Sequence, residues 1–312
     1  MSNRAYHELM AIRGGLSTVR SLIALLAVLS TLALTVAPVA AATSAMERLA
    51  GPAKPGDLHV MTFNLRYGST ATPNSWAQRR PVMRNLLATE RPDLIGIQEG
   101  LSEQLSDIVG DLDDAYGYVG KGRLGGTRGE FSAILYRKER LTPQAYGNFW
   151  LSNTPAIPGS ETWGGWSVRM VTWGRFLDRT TGKQFYAVNT HLDNASEYAR
   201  FRAAMLIRHR IKAMGPIVLT GDFNSPARLG GHVYDVLVAR AGLRDSWMTA
   251  QERGPAYGTF HGYRPLVSGG PRIDWVLTSA DVVVTAALIN TYRRGSQFPS
   301  DHLPVQVRVR LP

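Results

Sequence analysis

Short apolar runs recur along the chain from residue 57 onward and are separated by segments with helical periodicity. Runs of this kind, bounded by Gly, Pro, Asn or Asp, are typical of buried β-strands. We predict strands over residues 59–64, 94–98, 116–119, 132–137, 170–178, 184–190, 217–221, 272–278 and 305–311. Apolar positions three or four apart predict helices over residues 81–89, 102–112, 198–213 and 232–241. No internal linker divides this part of the chain, so the pattern indicates one α/β domain.

The N-terminal pattern is different: an uncharged apolar run over residues 21–36 follows several arginines and leads to three alanines at 40–42. This is the pattern of a secretory signal peptide. We predict a signal peptide over residues 1–42, a linker over 43–56 and one domain over 57–312, with the mature protein extracellular or periplasmic. The alternative is a retained membrane anchor, since the run approaches the roughly 20 residues that span a bilayer. After cleavage we expect no stable membrane insertion.

Composition narrows the chemistry. The 312 residues include no cysteine, so an exported form must take its stability from its core or from bound metal rather than from disulfides. Lys and Arg number 35 against 24 Asp and Glu, which gives a net charge of +11. This charge favours an anionic partner such as a phosphodiester, a nucleic acid or an acidic surface, although many secreted proteins are basic for solubility alone. We expect a monomer.

Polar side chains that can bind a cation or move a proton stand at or beside the ends of the predicted strands. Singly, each has an ordinary explanation, because Asp and Asn favour turns and a lone His or Glu is often structural. Together they are better explained by one site at the edge of a sheet. The set comprises Asn64, Glu99, His191, Asp222, Asn224, Asp274, Asp301 and His302.

These residues stand in motifs that, in this order, resemble the endonuclease/exonuclease/phosphatase superfamily. The superfamily includes deoxyribonuclease I, abasic-site endonucleases, sphingomyelinases, inositol polyphosphate phosphatases and the carbon catabolite repressor deadenylases. Stretches near residues 130, 150 and 170 further resemble a secreted bacterial branch nearest the deadenylases. The resemblance implies a four-layered α/β/β/α sandwich, with two mixed β-sheets packed face to face and the active site at one edge. The motifs are Asn64, Gln98-Glu99, Asn189-Thr190-His191, Gly221-Asp222-Phe223-Asn224, Arg272-Ile273-Asp274 and Ser300-Asp301-His302.

Hydrolysis of a phosphate ester needs an activated water, stabilised charge on the phosphoryl oxygens and help for the departing alkoxide. A hard divalent cation supplies much of this chemistry. Glu99, with Asn64 and Asp301 nearby, offers the oxygen ligands that suit Mg²⁺ or Mn²⁺. The resemblance implies that Glu99 is the principal ligand, and the sequence leaves open whether one ion or two are bound.

Asp222 and Asn224 lie two residues apart on an extended segment, so their side chains point to the same side. The resemblance implies that Asp222 positions or deprotonates the attacking water and that Asn224 holds this water or the phosphate. His302 with Asp274 is typical of an imidazole oriented by a carboxylate, which acts as a base or as a cationic phosphate clamp. Asp222 and His302 both remain candidates for the general base. Alternatively, Asp274 pairs with Arg272 and only stabilises its strand.

The remaining candidates contact substrate. The resemblance implies that His191 binds a phosphoryl oxygen, and Arg169 and Glu130 are further substrate-binding candidates. We predict a secreted metal-dependent hydrolase that cleaves phosphodiester bonds, with nucleic acid as the first choice of substrate. Phospholipid and sugar or inositol phosphate are the alternatives, and a non-catalytic binding module is a remote one. Endo or exo action stays open.

A nuclease would need basic and stacking side chains at the mouth of its site. A lipid enzyme would place exposed aromatic side chains similarly, so these residues do not separate the two. The candidates are Lys121, Arg123, Arg128, Arg293, Arg294, Trp163 and Trp166.

Overall fold

The computed structural model describes residues 43–312, and within them the apolar runs form the strands of two mixed β-sheets. The predicted signal peptide, residues 1–42, lies outside the described residues. In chain order the strands are β1 (Asp57–Asn64), β2 (Leu94–Gln98), β3 (Tyr116–Val119), β4 (Ile134–Arg137), β5 (Leu141–Trp150), β6 (Met170–Asp178), β7 (Gln184–His191), β8 (Ile217–Asp222), β9 (Arg244–Asp245), β10 (Glu252–Arg253), β11 (Asp274–Thr278), β12 (Val283–Ile289) and β13 (Val305–Arg310).

The strands are ordered β10-β12-β13-β1-β2-β4-β3 in one sheet and β5-β6-β7-β8-β11-β9 in the other. Parallel pairs lie at the centre of each sheet, since β1 runs parallel to β2 and β7 runs parallel to β8. The two sheets bury a shared apolar core that includes Val60 of β1, Phe176 of β6 and Val276 of β11. Sheets packed this way need no disulfide, in keeping with a chain that has no cysteine.

Helices cover the outer faces of both sheets. On the seven-stranded sheet, Met83, Leu86 and Leu105 pack against its apolar side chains, and on the six-stranded sheet Ile207 and Val236 do the same. The predicted four-layered α/β/β/α sandwich is thereby confirmed. Within residues 43–312, no helix combines the length and the apolar character needed to cross a bilayer. The helices are α1 (Ala45–Ala50), α2 (Trp76–Glu90), α3 (Ser102–Asp111), α4 (Glu197–Ile211), α5 (His232–Tyr234), which continues as a π-helix (Asp235–Arg240), and α6 (Ser246–Thr249).

Six elements were not predicted: the short β9, β10 and α6, and the longer α1, β12 and β5. The segment predicted as a linker over 43–56 contains α1, which begins with a capping box between Ser44 and Glu47 and buries Met46 against the strand β12. The predicted strands also omit β12 itself, although its sequence is apolar. They omit β5 because this edge strand alternates exposed and half-buried positions and carries no apolar run.

The sheet register brings the predicted site residues to one edge. Asn64 at the end of β1 lies beside Gln98 at the end of β2, and Glu99 follows directly. In the other sheet, His191 at the end of β7 pairs with Asp222 at the end of β8. Because β11 runs antiparallel to β8, its first residue, Asp274, pairs with Asp222 from the other side. The carboxyl ends of the parallel strands in both sheets therefore meet at the same edge.

Candidate active site

A cleft of about 480 Å³ opens at this edge, between the ends of the two sheets. Asn64 and Asp274 lie below its surface and contact the lining side chains through hydrogen bonds. The predicted site residues are thus brought together in one place. Those that line the cleft are Glu99, Glu130, Arg169, His191, Asp222, Asn224, Asp301 and His302.

Asp222 and Asn224 form a tight turn at the end of β8. The Asn224 backbone N–H donates to Asp222 Oδ1 at 2.9 Å, and Asn224 has a φ of 46°, a left-handed conformation that asparagine tolerates. This turn also serves the cleft, because the Asn224 amide nitrogen lies 3.1 Å from His191 Nε2 and donates to the Leu192 carbonyl at 3.0 Å. Asn224 thereby holds an amide group beside the Asp222 carboxylate.

Asp274 and His302 are in contact, and His302 in turn approaches Asp222. His302 Nδ1 lies 3.0 Å from Asp274 Oδ2, and His302 Nε2 lies 3.8 Å from Asp222 Oδ2. His191 Nε2 lies 3.4 Å from the same Asp222 oxygen. Arg272, the alternative partner of Asp274, instead forms an ion pair with Asp245 at 2.7 Å. The Asp274 carboxylate is therefore available to orient the imidazole.

Burial and neighbouring charges shift the pKa values of these groups. Burial, followed by the charge of Asp274, raises the pKa of Asp222 to about 7. Burial disfavours the His302 imidazolium, but the charge and hydrogen bond of Asp274 outweigh it and raise the pKa of His302 to about 10. Burial, followed by the charge of Arg169, holds the pKa of His191 well below its usual value. At neutral pH the site therefore contains a cationic His302 and a neutral His191.

The predicted cation ligands Glu99 and Asp301 follow β2 and precede β13, both of which belong to the seven-stranded sheet. Glu99 has a φ of 60°, a strained conformation for a non-glycine residue, and its carboxylate accepts the Tyr67 backbone N–H at 3.2 Å. Asp301 accepts the Ser300 hydroxyl at 3.2 Å, and its other oxygen lies 3.8 Å from Arg66 Nε. Both carboxylates line the cleft, and hard oxygen donors of this kind fit Mg²⁺ or Mn²⁺.

Asn64 is oriented as a donor. Its side-chain nitrogen donates to Glu99 Oε1 and to Asp222 Oδ2, both at 3.0 Å, while its oxygen accepts the Arg66 backbone N–H at 2.9 Å. All three bonds fit this orientation, because turning the amide would place its oxygen against two carboxylates. Asn64 thus bridges Glu99 to Asp222, and direct ligation of a cation by Asn64 stays a prediction.

A second group of possible metal donors occurs within residues 43–312. Donor atoms of Asp222, Asp274 and His302 lie within 4.8 Å of one another. Two of these three side chains are already hydrogen-bonded to each other, since His302 Nδ1 bonds to Asp274. An ion held by His302 Nδ1 would have to break this bond, and an ion held by Nε2 would have to remove the proton that the raised pKa of His302 favours, so Glu99 and Asp301 are the better candidate ligands.

A polar network joins the two sheets beneath the cleft. The Gln98 amide donates to Asn189 Oδ1 at 2.7 Å, and Thr220 Oγ1 donates to the same oxygen at 3.1 Å. Asn189 in turn donates to the Ile97 carbonyl of the opposite sheet at 2.7 Å. Only glycine fits at position 96, because a Cβ there would lie 2.0 Å from Thr220 Oγ1. The network fixes the distance between the sheets that carry the two halves of the site.

The outer wall of the cleft combines charged and aromatic groups. Arg123 Nη2 lies 2.8 Å from Glu130 Oε1, and the adjacent Arg169 donates to Asn194 Oδ1 at 3.2 Å. Trp166, which is 79% exposed, also lines the cleft. Phe260, which the sequence analysis missed, is 54% exposed, with its ring centroid 4.9 Å from that of His302. Its loop carries no periodic pattern that could have indicated this position.

The predicted mouth residues divide into two groups. Arg123 and Trp166 line the cleft, whereas Trp163 is buried and donates its indole N–H to Asn153. The others do not line it, and several have partners of their own: Arg128 donates to the Leu124 carbonyl and Arg293 lies over the Phe298 ring. The residues outside the lining are Trp163, Lys121, Arg128, Arg293 and Arg294.

Comparison with known proteins identifies the family. The sequence profile of the Endonuclease/Exonuclease/phosphatase family matches residues 61–302, so the chain belongs to this family, and the predicted resemblance is confirmed. Members of this family are hydrolases that act on phosphoester bonds. The match includes both cation-ligand candidates and both residues of the Asp274–His302 pair.

Solved structures of relatives share the fold and part of the sequence. A family protein from Bacteroides thetaiotaomicron has 34% identity and a TM-score of 0.77, covering 83% of this chain and 100% of its own. A mannosyl-6-phosphatase from Bacteroides thetaiotaomicron has 33% identity and a TM-score of 0.75, covering 81% and 99%. An uncharacterized protein of Acanthamoeba polyphaga mimivirus is 31% identical over 165 residues, which is 49% of this chain and 61% of that protein's length.

Proposed function

We propose that the protein is a divalent-cation-dependent phosphoesterase whose preferred substrate is a small sugar-like phosphate ester. The observation that carries the substrate class is the Glu130 carboxylate in the wall of the cleft, paired with Arg123 at 2.8 Å. A carboxylate at this position, held in place by Arg123, accepts hydrogen bonds from sugar hydroxyls. The volume of about 480 Å³ suits a small ligand. The named activity of the 33% identical mannosyl-6-phosphatase supports the same class.

The site's own residues divide the work of hydrolysis. Glu99 and Asp301 would hold Mg²⁺ or Mn²⁺, which when bound stabilises charge on the phosphoryl and leaving oxygens. Asp222, whose pKa is raised to about 7, accepts the proton of the attacking water, and Asn224 orients that water. The water oxygen bonds to phosphorus as the ester P–O bond breaks, and the departing alkoxide takes up a proton from solvent to leave as the alcohol. The cationic His302 binds a phosphoryl oxygen, and Asp274 holds the orientation of its ring.

Turnover of a defined panel tests the substrate class. The panel is methyl mannoside 6-phosphate, glucose 6-phosphate, bis-p-nitrophenyl phosphate, DNA, RNA and sphingomyelin, each assayed with Mg²⁺ and with EDTA. We expect the highest kcat/KM for a sugar phosphate. In addition, Glu130→Gln should raise KM for that sugar phosphate by roughly 10-fold or more, the scale of a lost hydrogen bond to a charged group, and change bis-p-nitrophenyl phosphate hydrolysis little. DNA or RNA as the best substrate would overturn the assignment.

Nucleic acid is the second candidate, favoured by the net charge of +11 and by the exposed Trp166 at the cleft, which offers a surface for base stacking. Its signature is a steep loss of affinity with salt, because each phosphate contact releases counterions. Measuring the Kd for DNA and RNA at about 50 mM and about 200 mM salt tests whether nucleic acid is the substrate. A flat response removes nucleic acid from consideration.

We also propose export followed by cleavage near residue 43, which leaves a monomeric enzyme outside the cytoplasm. The apolar run and alanines of residues 21–42 support this proposal. N-terminal sequencing of protein recovered from medium or periplasm tests it. An intact Met1 in a membrane fraction would show a retained anchor instead.

A further inference from the structure

Arg79, in the first turn of α2, is completely buried, and its side-chain hydrogen bonds within the described residues go to backbone carbonyls rather than to a carboxylate. A guanidinium has five N–H donors, and each here reaches a different backbone carbonyl at 2.5 to 3.2 Å. Because all five donors are bonded, the guanidinium is held rigidly, since any rotation would leave a buried N–H without an acceptor. The five acceptors are the carbonyls of Asn74, Leu65, Pro299, Arg66 and Tyr67.

The carbonyls belong to two segments that carry the candidate cation ligands. Residues 65–67 directly follow Asn64 at the end of β1, and Pro299 directly precedes the Ser300-Asp301-His302 motif. Arg79 Nη1 donates to both segments, to Leu65 and to Pro299. Arg79 therefore links two chain segments that are more than 200 residues apart in sequence, and it does so in the interior behind the cleft.

Two of the peptide groups whose carbonyls accept from Arg79 donate their N–H groups to side chains of the candidate cation site. The peptide that joins Leu65 to Arg66 gives its carbonyl to Arg79 and its N–H to Asn64 Oδ1. The next peptide gives the Arg66 carbonyl to Arg79 and the Tyr67 N–H to Glu99 Oε2. A cation at the carbonyl end polarises each peptide and strengthens the hydrogen bond at its N–H end.

We propose that Arg79 is a positioning residue for the divalent-cation site, acting on Glu99 and Asp301 through backbone peptide groups. This inference rests on the cation site of the proposed function. Arg79 touches neither substrate nor cation. It fixes the N–H groups that orient Asn64 and Glu99 and the segment that ends in Asp301. Lysine cannot replace it, because an ammonium has three donors on a single atom and cannot reach two segments in one plane.

Arg80 is a matched control at the next position of the same helix. Its guanidinium forms ion pairs with Asp107 at 2.7 Å and with Asp111 at 2.8 Å, both on α3. Arg80→Lys therefore weakens the attachment of α2 to α3 without touching the segments behind the cleft. A purely structural role for Arg79 predicts that both lysine variants behave alike apart from melting temperature.

The test is the Kd of Mn²⁺ for the purified protein, measured by calorimetry with the metal alone, together with melting temperature. We expect Arg79→Lys to raise the Mn²⁺ Kd by about 10- to 100-fold, the scale of losing a residue that orients metal ligands. Arg80→Lys should leave that Kd within about twofold, since it leaves the ligands in place. An unchanged Kd in a folded Arg79→Lys overturns the inference and leaves the cation site intact. Absence of Mn²⁺ binding to the wild-type protein overturns the site and the inference together.

A second measurement needs no substitution and decides the matter if Arg79→Lys does not fold. In protein labelled at arginine, the Arg79 Nε–H signal should exchange slowly with water, since the group is buried and bonded. Titration with Mg²⁺ should shift this signal and leave that of Arg80 in place. An Arg79 signal insensitive to saturating Mg²⁺ contradicts the coupling.

Discussion

His302 Nδ1 lies 3.0 Å from Asp274 Oδ2, and both side chains are buried at the floor of the cleft. The basic residue that could have competed for Asp274 is engaged elsewhere, since Arg272 pairs with Asp245. Asp274 therefore fixes the orientation of the ring, and its charge and hydrogen bond raise the pKa of His302 to about 10 despite burial. We expect the two residues to act as one functional unit.

Loss of either residue should disable this unit. His302→Ala and Asp274→Asn are each expected to lower turnover by roughly 10²-fold or more, the scale of losing one group that stabilises negative charge in the transition state. The double variant should be little worse than the more damaging single variant, because residues that share one task are not additive. The measurement is a double-mutant cycle on kcat/KM. Additive losses would show that Asp274 does not act through His302.

Asp245→Asn is the matched control for this cycle. Asp245 is also a buried carboxylate at the edge of the six-stranded sheet, but it pairs with Arg272 and accepts from Tyr234, away from the cleft. Its loss should lower the melting temperature and leave activity per folded molecule nearly intact. If Asp274→Asn behaves in the same way, its role is structural.

Gly96 marks the point where β2 passes the polar network of the opposite sheet. A Cβ at this position would lie 2.0 Å from Thr220 Oγ1 and 2.7 Å from Asn189 Oδ1. Gly96→Ala should therefore lower the free energy of unfolding by about 1–3 kcal/mol, as overpacking does elsewhere. Denaturant unfolding measures this change. Gly110→Ala on α3, where the Cβ meets open space, should be neutral or stabilising by up to about 1 kcal/mol.

Stability should also depend on pH through His59 of β1, far from the cleft. Burial, followed by the charge of Arg308, lowers the pKa of His59 to about 4. The unfolded chain, with a histidine pKa of about 6.5, then binds more protons between pH 6.5 and pH 4. Stability conferred by neutral His59 is complete above about pH 6.5 and is lost as pH falls toward 4. The loss at the acid end is about 3 kcal/mol at 1.4 kcal/mol per pKa unit.

Comparison of variants isolates this effect from the carboxylates that titrate in the same range. His59→Gln should show a shallower fall in unfolding free energy between pH 6.5 and 4 than the wild type. His209→Gln, at an exposed position of α4, should follow the wild type. Parallel curves for His59→Gln and the wild type would mean that His59 is free to protonate in the folded state.

The fold, and the residues that come together at the cleft, were largely predictable because both depend on the types of side chains along the chain. Buried strands require apolar runs, and a catalytic edge requires polar side chains where those runs end, as at Asn64, His191 and Asp222. The order of these motifs then specified the family, which the match over residues 61–302 confirms. Strand β5 escaped prediction because an edge strand needs to bury little of its length.

Other features depend on groups that leave no mark in the sequence. The role of Arg79 is set by five backbone carbonyls, and every residue type has a carbonyl. The direction of the Asn64 amide follows from the Arg66 N–H on one side and two carboxylates on the other. The ion pair between Arg123 and Glu130 depends on the conformation of a loop whose sequence has no hydrophobic periodicity. Tertiary contacts, rather than local pattern, decide each of these.

The central claim is that Glu99 holds a divalent cation on which phosphoester hydrolysis depends. The most direct measurement is the hydrolysis rate of bis-p-nitrophenyl phosphate as Mg²⁺ is added back to EDTA-treated wild type, Glu99→Gln and Glu103→Gln. Glu103 is exposed at the start of α3 and serves as the control. The account predicts no activity in EDTA, full recovery with Mg²⁺ for wild type and Glu103→Gln, and little recovery for a folded Glu99→Gln. Full wild-type activity in EDTA, or full recovery of Glu99→Gln at the wild-type Mg²⁺ concentration, would contradict it.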